Sequence, residues 1–326
     1  MNVRRHHISG MALAAVTALG LGTLSACSTD SAAAGGTGKF DVVASFYPMA
    51  FLAERIGGDH VNVTSLTEPG QEPHDLEISA RQRTQLEKSD AALFLKGLQP
   101  SVDEAVTQSG IRTKIDATTL TTLEEHGSEV GGHAAEHEDE HAAEDEHEHE
   151  ETGGKDPHIW LDPVKYAEVA EGVGKAFEKA DPDHAADYRK NTADLVTELG
   201  ALDTEFKNGL AATKTKVFIT THAAFGYLAE RYGLTEEAIS GLDPESEPSA
   251  ARVKELEKMA KADGVTTVFY ETLVSDKTAR TVARDANLET DVLDPVEGIT
   301  DKSRGTDYFA VQRANLKALQ TALGTA

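Results

Sequence analysis

The residues of this sequence that are best suited to chemistry are histidines on rigid loops. His158 lies in segment 155–163, KDPHIWLDP, and His74 ends the segment EPGQEPH at 68–74. The prolines of both segments fix φ at about −65° and disfavour helix in the residue before each of them. A histidine on such a loop has lost much of its conformational freedom before a ligand arrives. Both imidazoles are therefore candidate metal ligands.

Two further candidate ligands directly follow predicted strands. His222 comes after strand 216–220, and Asp294 comes after strand 289–293. In open parallel sheets, ligands bind in the crevice beyond the carboxyl ends of the strands. Three imidazoles and one carboxylate suit Zn²⁺ in tetrahedral geometry, with bonds of about 2.0–2.2 Å. Four protein ligands complete that shell, so such a site binds the metal without activating a water for hydrolysis.

Each candidate also has a simpler explanation. A single histidine on a loop is more often an ordinary surface residue than a ligand, and Asp294, which precedes Pro295, is also suited to capping a turn. Glu271 lies at another strand end and has two possible roles. Either it replaces Asp294 as the fourth ligand, or it orients a ligating histidine without contacting the metal itself. The combination of rigid loops and strand-end positions favours a metal site.

Strands and helices alternate along the chain, and this alternation predicts how the candidate ligands are positioned. Apolar runs predict strands at 40–45, 60–66, 91–95, 216–220, 234–240, 265–270 and 289–293. Helical periodicity and capping residues predict helices at 48–56, 79–88, 164–180, 184–211, 223–232, 249–262, 275–286 and 306–323. Alternating β and α elements indicate parallel sheets with helices on their faces.

The predicted fold class is α/β, with two parallel-sheet lobes joined by one long rigid helix and the metal in the cleft between them. The lobes are assigned to residues 40–183 and 212–326, and the joining helix to residues 184–211. At 1.5 Å per residue this helix extends about 40 Å, which is enough to bridge two domains.

The N-terminus has the features of a secretory signal. Two arginines precede an apolar run at residues 8–24, and small residues then lead to Cys27, a pattern that resembles a bacterial lipobox. We expect residues 1–26 to be removed, Cys27 to be lipidated, and residues 27–39 to form a flexible, lipid-anchored linker. An uncleaved anchor is the alternative, although the apolar run is shorter than the ~20 residues that span a bilayer. The predicted location is extracytoplasmic, at the cell membrane.

Residues 124–151 form an acidic, histidine-rich insert. The segment contains 13 carboxylates, no lysine or arginine and no apolar periodicity, so we expect it to be disordered without metal. Its histidines are expected to capture cations weakly; they are His126, His133, His137, His141, His147 and His149. The alternative is a solvated tract without function. Residues 137–141 match the zinc-protease pattern H-E-x-x-H and also its reverse, which indicates that composition alone generates the match.

The overall charge narrows the classes of partner. The formal net charge is −25, and an acidic surface repels nucleic acid but attracts cations. Nucleic acid is therefore not an expected partner.

Four motifs together resemble those that carry the metal ligands in the metal-receptor lipoproteins of bacterial ABC importers. They are Glu72-Pro73-His74, DPHIWLDP at 156–163, THAAF at 221–225 and Leu293-Asp294-Pro295. The loop LDPESEPSA at 242–250 is similar to a further hallmark of that family. The resemblance extends from Phe40 to the C-terminus, and its motifs are specific in combination.

The resemblance implies a receptor that binds one divalent metal in the cleft and delivers it to a membrane permease. It implies that His74, His158, His222 and Asp294 are the ligands. Manganese-selective members often carry a carboxylate at the position of His222, so this histidine favours Zn²⁺, as imidazole ligands do in general. Mn²⁺ in the same role is the first alternative.

The expected protein is not an enzyme but a monomer that carries Zn²⁺ as its transported ligand. Its expected partners are the permease of an ABC importer and, through the lipid on Cys27, the membrane. A zinc-dependent hydrolase is the alternative from another class. It needs a vacant coordination position and a base, for which Glu271 is the candidate. A surface interaction protein with a purely structural metal is the last alternative.

Overall fold

The computed structural model of the protein describes residues 38–127 and 155–325. The predicted signal segment 1–26, Cys27 and most of the predicted linker lie outside the described residues. Positions 128–151 of the acidic insert also lie outside them, and these positions include His133, His137, His141, His147 and His149. In the described part of the chain, every helix is too short or too polar to cross a bilayer.

The strands form two four-stranded sheets, and all of the strand pairs are parallel. The first sheet contains β1 (Phe40–Ala44), β2 (Val61–Ser65), β3 (Ala91–Phe94) and β4 (Thr113–Asp116), in the order β2-β1-β3-β4. The second contains β5 (Val217–Thr220), β6 (Thr235–Ala238), β7 (Thr267–Tyr270) and β8 (Glu289–Val292), in the order β6-β5-β7-β8. The order reverses beside β1 and beside β5, and ligands bind at such switch points.

Helices connect these strands. They are α1 (Tyr47–Gly57), α2 (Ala80–Lys88), α3 (Pro100–Gln108), α4 (Pro163–Ala180), α5 (Ala185–Gly209), α6 (Gly226–Tyr232), α7 (Ala250–Asp263), α8 (Lys277–Ala286) and α9 (Tyr308–Leu323). The prediction of two parallel-sheet lobes with a long helix between them is confirmed.

The sequence patterns missed α3 and β4. Helix α3 buries only Val102, Ala105 and Val106, and β4 buries only Ile115. Neither segment therefore has a sustained apolar period. Strand β4 lies at the edge of its sheet, and Ile115 is the one apolar residue that it buries. Helix α2 begins with a capping box, in which Ser79 and Gln82 bond each other's backbone N–H.

Helix α5 links the two halves of the molecule through one apolar stripe. Its buried residues recur every three or four positions; they are Tyr188, Thr192, Leu195, Leu199, Leu202 and Phe206. The helix contacts α1 and α4 of the first lobe and α9 of the second. The apolar cluster to which this stripe belongs includes Trp160 and Phe218, so it extends into both lobes.

Leu199→Ala tests the contribution of this stripe. Leu199 is fully buried, so the change removes apolar contacts and leaves a cavity. We expect the free energy of unfolding to fall by about 2–5 kcal/mol, measured by urea denaturation. Thr197→Ala, at an exposed position of the same helix, is the control and should change stability by no more than about 0.5 kcal/mol. Equal effects of the two substitutions would contradict the role given to the stripe.

Candidate metal centre

Three histidines and one glutamate meet between the lobes. His74, His158, His222 and Glu297 each offer one donor atom, and these atoms lie within 4.8 Å of one another. The Nε2 atoms of the three imidazoles lie 3.5, 3.4 and 3.6 Å from Glu297 Oε1. The side chain of His74 is 12% exposed, whereas those of the other three are 0–1% exposed. His74 therefore faces the entrance of the centre.

The distances suit a shared metal better than mutual hydrogen bonds. The three N···O distances exceed the range of about 2.7–3.2 Å that is usual for N–H···O hydrogen bonds. Donor atoms at the corners of a tetrahedron with bonds of 2.0–2.2 Å are separated by about 3.3–3.6 Å. Among the described residues, His158 Nε2, His222 Nε2 and Glu297 Oε2 have no hydrogen-bond partner although they are buried. A cation bound between the imidazoles would satisfy the two Nε2 atoms.

The turn that holds His158 fixes the direction of its ring. Asp156 Oδ1 accepts hydrogen bonds from the backbone N–H and from Nδ1 of His158, at 2.9 and 2.7 Å. With Nδ1 engaged in this way, Nε2 faces Glu297. The chain then makes one turn of 3-10 helix at Ile159–Leu161, where the prolines predicted an extended conformation.

His74 lies in the loop between β2 and α2. Gln99 Nε2 donates to the carbonyl oxygen of Pro73 at 3.1 Å, and the Asp75 N–H donates to Glu72 Oε2 at 3.2 Å. These bonds, together with the prolines, hold the loop at the edge of the first sheet.

His222 follows β5, the strand at the switch point of the second sheet. Glu271 Oε1 lies 2.7 Å from His222 Nδ1 and also accepts a hydrogen bond from Thr221 Oγ1 at 2.7 Å. Glu271 thus contacts the side of the ring opposite to Nε2. Of the two roles predicted for Glu271, this contact favours the one in which it orients the His222 ring.

The carboxylate in this group is Glu297 and not the predicted Asp294. Asp294 Oδ1 accepts the Val296 N–H at 2.8 Å, and Asp294 Oδ2 accepts from Thr272 Oγ1 at 3.1 Å. Asp294 therefore shapes the turn after β8, which was the simpler explanation for it. Val296 has φ of 60°, a strained value for a β-branched residue. This reversal of the chain brings Glu297 to the imidazoles.

Two long-range contacts hold this turn in place. Asn315 of α9 pairs with the backbone of Asp294, since its Oδ1 accepts the N–H at 2.9 Å and its Nδ2 donates to the carbonyl at 2.7 Å. Trp160 Nε1 donates to the carbonyl of Pro295 at 2.6 Å. The turn that carries Glu297 is thereby bonded to the turn that carries His158. The only local signal for Glu297 is that it follows a strand end by a few residues.

Burial disfavours the charged forms of the side chains at the centre, but their oppositely charged neighbours outweigh this effect. Burial acts to lower the pKa of His158, but Asp156 raises this pKa to about 9. Burial also acts to lower the pKa of His222, but Glu271 raises this pKa well above its ordinary value. Burial acts to raise the pKa of Glu297, but the facing imidazoles hold it well below its ordinary value. These shifts favour imidazolium and carboxylate ions at the centre when no metal is bound.

Of the histidines predicted to capture cations, His126 is described. Its Nδ1 lies 3.1 Å from Asp156 Oδ2 and its Nε2 lies 2.9 Å from Glu230 Oε2. It is not part of the three-histidine centre, and residues 124–127 line a groove together with residues of α6.

Glu271→Gln tests the orientation of His222. The amide is neutral and holds the ring less firmly, so we expect the affinity for Zn²⁺ to fall by about 10–100-fold. Competition with a chromogenic chelator measures this change. Glu257→Gln, on α7 of the same lobe, is the control and should leave the affinity unchanged. A Glu271 variant with wild-type affinity would show that Glu271 does not support the centre.

The affinity for Zn²⁺ should rise with pH. Because the pKa values of His158 and His222 are raised, both imidazoles are protonated in the metal-free protein near about pH 7, and a metal must displace these protons. Apparent affinity should therefore increase from about pH 6 to about pH 9. Calorimetric titration in buffers of different ionisation enthalpy should detect proton release on binding. An affinity independent of pH would contradict the charged state of the metal-free centre.

The fold and the centre define a class: two-lobed α/β proteins with a metal-binding cluster of histidines and a carboxylate. The family model of the zinc-uptake complex component A, periplasmic (ZnuA), matches residues 42–322. The chain belongs to this family. The predicted resemblance to metal-receptor proteins is confirmed.

Curated relatives are zinc-binding proteins. The chain is 34% identical over 292 residues to zinc-binding protein AdcA of Streptococcus pyogenes serotype M3, covering 87% of this chain and 56% of AdcA. It is 33% identical over 291 residues to the high-affinity zinc uptake system protein ZnuA of Bacillus subtilis, covering 87% and 88% of the two chains. The chain thus spans about half the length of the AdcA relatives.

A solved structure supports the same fold. The Zn(II)-bound ZnuA-like domain of Streptococcus pneumoniae AdcA has a TM-score of 0.70 and 32% sequence identity to this chain. The match covers 88% of this chain and 99% of that one.

Proposed function

We propose that this protein captures Zn²⁺ outside the cytoplasm and delivers it to the permease of an ABC importer. The proposed ligands are His74, His158, His222 and Glu297. The observation that carries this proposal is the distance of 3.4–3.6 Å from Glu297 Oε1 to each imidazole Nε2, which is the spacing of donors around one tetrahedral ion. Membership of a family described as a zinc-uptake component supports the same role.

Binding and release suit this donor set better than catalysis does. Four protein ligands complete a tetrahedral shell, whereas catalytic zinc sites keep one position for water. The base considered for a hydrolase was Glu271, and its Oε1 lies 2.7 Å from His222 Nδ1. In that position it supports a ligand instead of activating a water.

The donor atoms favour zinc over manganese. Imidazole suits Zn²⁺, whereas Mn²⁺ prefers carboxylate, carbonyl and water oxygens. Three of the four donors are imidazole nitrogens, and the names of the relatives describe those proteins as binding or taking up zinc. We therefore assign Zn²⁺ as the transported ligand of this chain.

The N-terminal segment supplies the attachment in this proposal. Lipidation of Cys27 would anchor the protein as a monomer to the outer face of the cell membrane, and residues 27–39 would tether the two lobes near the permease. The lipobox-like residues before Cys27 and their small, Gly-rich continuation support this arrangement.

Glu297→Gln, with Asp294→Asn as the matched control, tests the ligand set. Gln removes the buried charge that faces the metal, so zinc affinity should fall by orders of magnitude. Asn keeps an oxygen that accepts the Val296 N–H, so affinity should stay close to that of the wild type. Both are measured by competition titration with Zn²⁺ and Mn²⁺, with circular dichroism to monitor folding. The reverse ranking of the two variants would reject Glu297 as the ligand, and tighter binding of Mn²⁺ would reject zinc.

A further inference from the structure

A carboxyl group that is not part of the metal centre contacts the turn that carries His222. Glu236 lies on β6, the edge strand beside β5. Its Oε1 lies 2.7 Å from Thr220 Oγ1, at the end of β5, and its Oε2 accepts the Phe225 N–H at 3.0 Å, where α6 begins. His222 lies between these two contacts along the chain. Glu236 therefore holds both ends of a turn that carries a proposed metal ligand.

The buried Thr220 hydroxyl has two close oxygen neighbours but only one hydrogen. Its Oγ1 lies 2.7 Å from Glu236 Oε1 and 2.9 Å from the carbonyl oxygen of His222. A carbonyl oxygen and an ionised carboxylate can only accept hydrogen bonds. An ionised Glu236 would therefore compete with the His222 carbonyl for the hydrogen of Thr220, and one of the two short O···O contacts would contain no hydrogen.

A proton on Glu236 Oε1 removes this conflict, because the carboxyl group then donates to Thr220 and Thr220 donates to His222. We propose that Glu236 is a positioning residue of the metal centre, which acts as a carboxylic acid and fixes the backbone of His222 through the Thr220 hydroxyl. Its Oε2 still accepts the Phe225 N–H. The carbonyl oxygen of His222 also accepts the Ala224 N–H at 3.0 Å, so the bond from Thr220 occupies the second lone pair of this oxygen.

The surroundings of Glu236 favour the same protonation state. Burial raises the pKa of Glu236 to about 7, because the hydrogen bonds from Thr220 and Phe225 only partly offset the cost of burying a charge. Among the nearby charged groups, Asp156 acts to raise this pKa and His222 acts to lower it.

Two glutamates thus hold His222 in different ways. Glu271 Oε1 lies 2.7 Å from Nδ1 and orients the ring, whereas Glu236 acts on the backbone through Thr220. The direction of the imidazole and the position of the chain that carries it are fixed separately. This inference rests on the proposed role of His222 as a metal ligand and adds a residue of β6 to the support of that ligand.

Substitutions along this chain of hydrogen bonds test the proposal by competition titration of Zn²⁺ with a chelator. Glu236→Gln retains a donor toward Thr220 and an acceptor for the Phe225 N–H, so the affinity should equal that of the wild type. Glu236→Leu and Thr220→Val remove these bonds, and each should lower the affinity about 10-fold, at the low end of the range for partners that support a metal ligand. Thr220→Ser keeps the hydroxyl and should retain wild-type affinity. The matched control is Thr235→Val, at an exposed position of β6, which should have no effect.

Infrared spectroscopy detects the proton on Glu236. In the difference spectrum between metal-free wild type and Glu236→Gln, recorded below about pH 7, the wild type should contribute the C=O band of a carboxylic acid. Thermal denaturation of each metal-free variant separates a loss of zinc affinity from a loss of folding. Carboxylate bands in place of the acid band would overturn the proposal. An equal loss of affinity in Glu236→Gln and Glu236→Leu would also overturn it, as would wild-type affinity in Thr220→Val.

His222→Ala distinguishes this inference from the proposed ligand set. Wild-type affinity in His222→Ala would reject His222 as a ligand, and the role of Glu236 with it. A large loss of affinity in His222→Ala, together with wild-type affinity in Thr220→Val, would reject only the role given to Glu236.

Discussion

A carboxylate with no access to solvent must have positive partners, and the structure is built around this requirement at Glu297. Its side chain is fully buried, and isolated buried charge is costly. In the metal-free protein the partners are the imidazolium rings of His158 and His222, whose own charges are sustained by Asp156 and Glu271. In the proposed metal-bound state, a divalent cation takes over the same role when it displaces those protons.

This requirement explains why the surrounding turns are so firmly fixed. The strain at Val296 is tolerated because Asn315 bonds the backbone of Asp294 and Trp160 bonds the carbonyl oxygen of Pro295. Trp160 is itself held, since Tyr308 of α9 donates to its carbonyl oxygen at 2.6 Å. The ligand-bearing turns of the two lobes are thus parts of one hydrogen-bonded unit. Donor spacings suited to zinc follow from this rigidity.

The sequence predicts the parts of the molecule that depend on local patterns. Apolar periodicity locates the strands and the long helix, and the prolines around His74 and His158 mark rigid loops. Asp294 is the predicted ligand because it directly follows a strand, and it does belong to the turn that approaches the centre. Glu297, the carboxylate proposed in its place, has no such local signal, because its position depends on a positive φ at Val296 and on tertiary bonds from distant residues. No local pattern encodes such contacts.

The same limit applies to the acidic insert. Composition predicts weak cation capture by its histidines, but it cannot distinguish His126 from the others. Among the described residues, His126 lies beside Gly226, which has no side chain, and its Nδ1 is 3.1 Å from the second oxygen of Asp156. Both features are recognisable only after the chain has folded. The Asp156 carboxylate, which sequence reasoning did not single out, proves to support imidazoles on both of its sides.

X-ray absorption spectroscopy at the zinc edge, on full-length protein loaded with one equivalent of Zn²⁺, tests the central claim most directly. The account predicts a four-coordinate ion with three imidazole nitrogens and one carboxylate oxygen at about 2.0–2.2 Å. A shell of five or six light atoms with fewer than three imidazoles would contradict it, because the buried cluster around Glu297 would then not be the place where the metal binds.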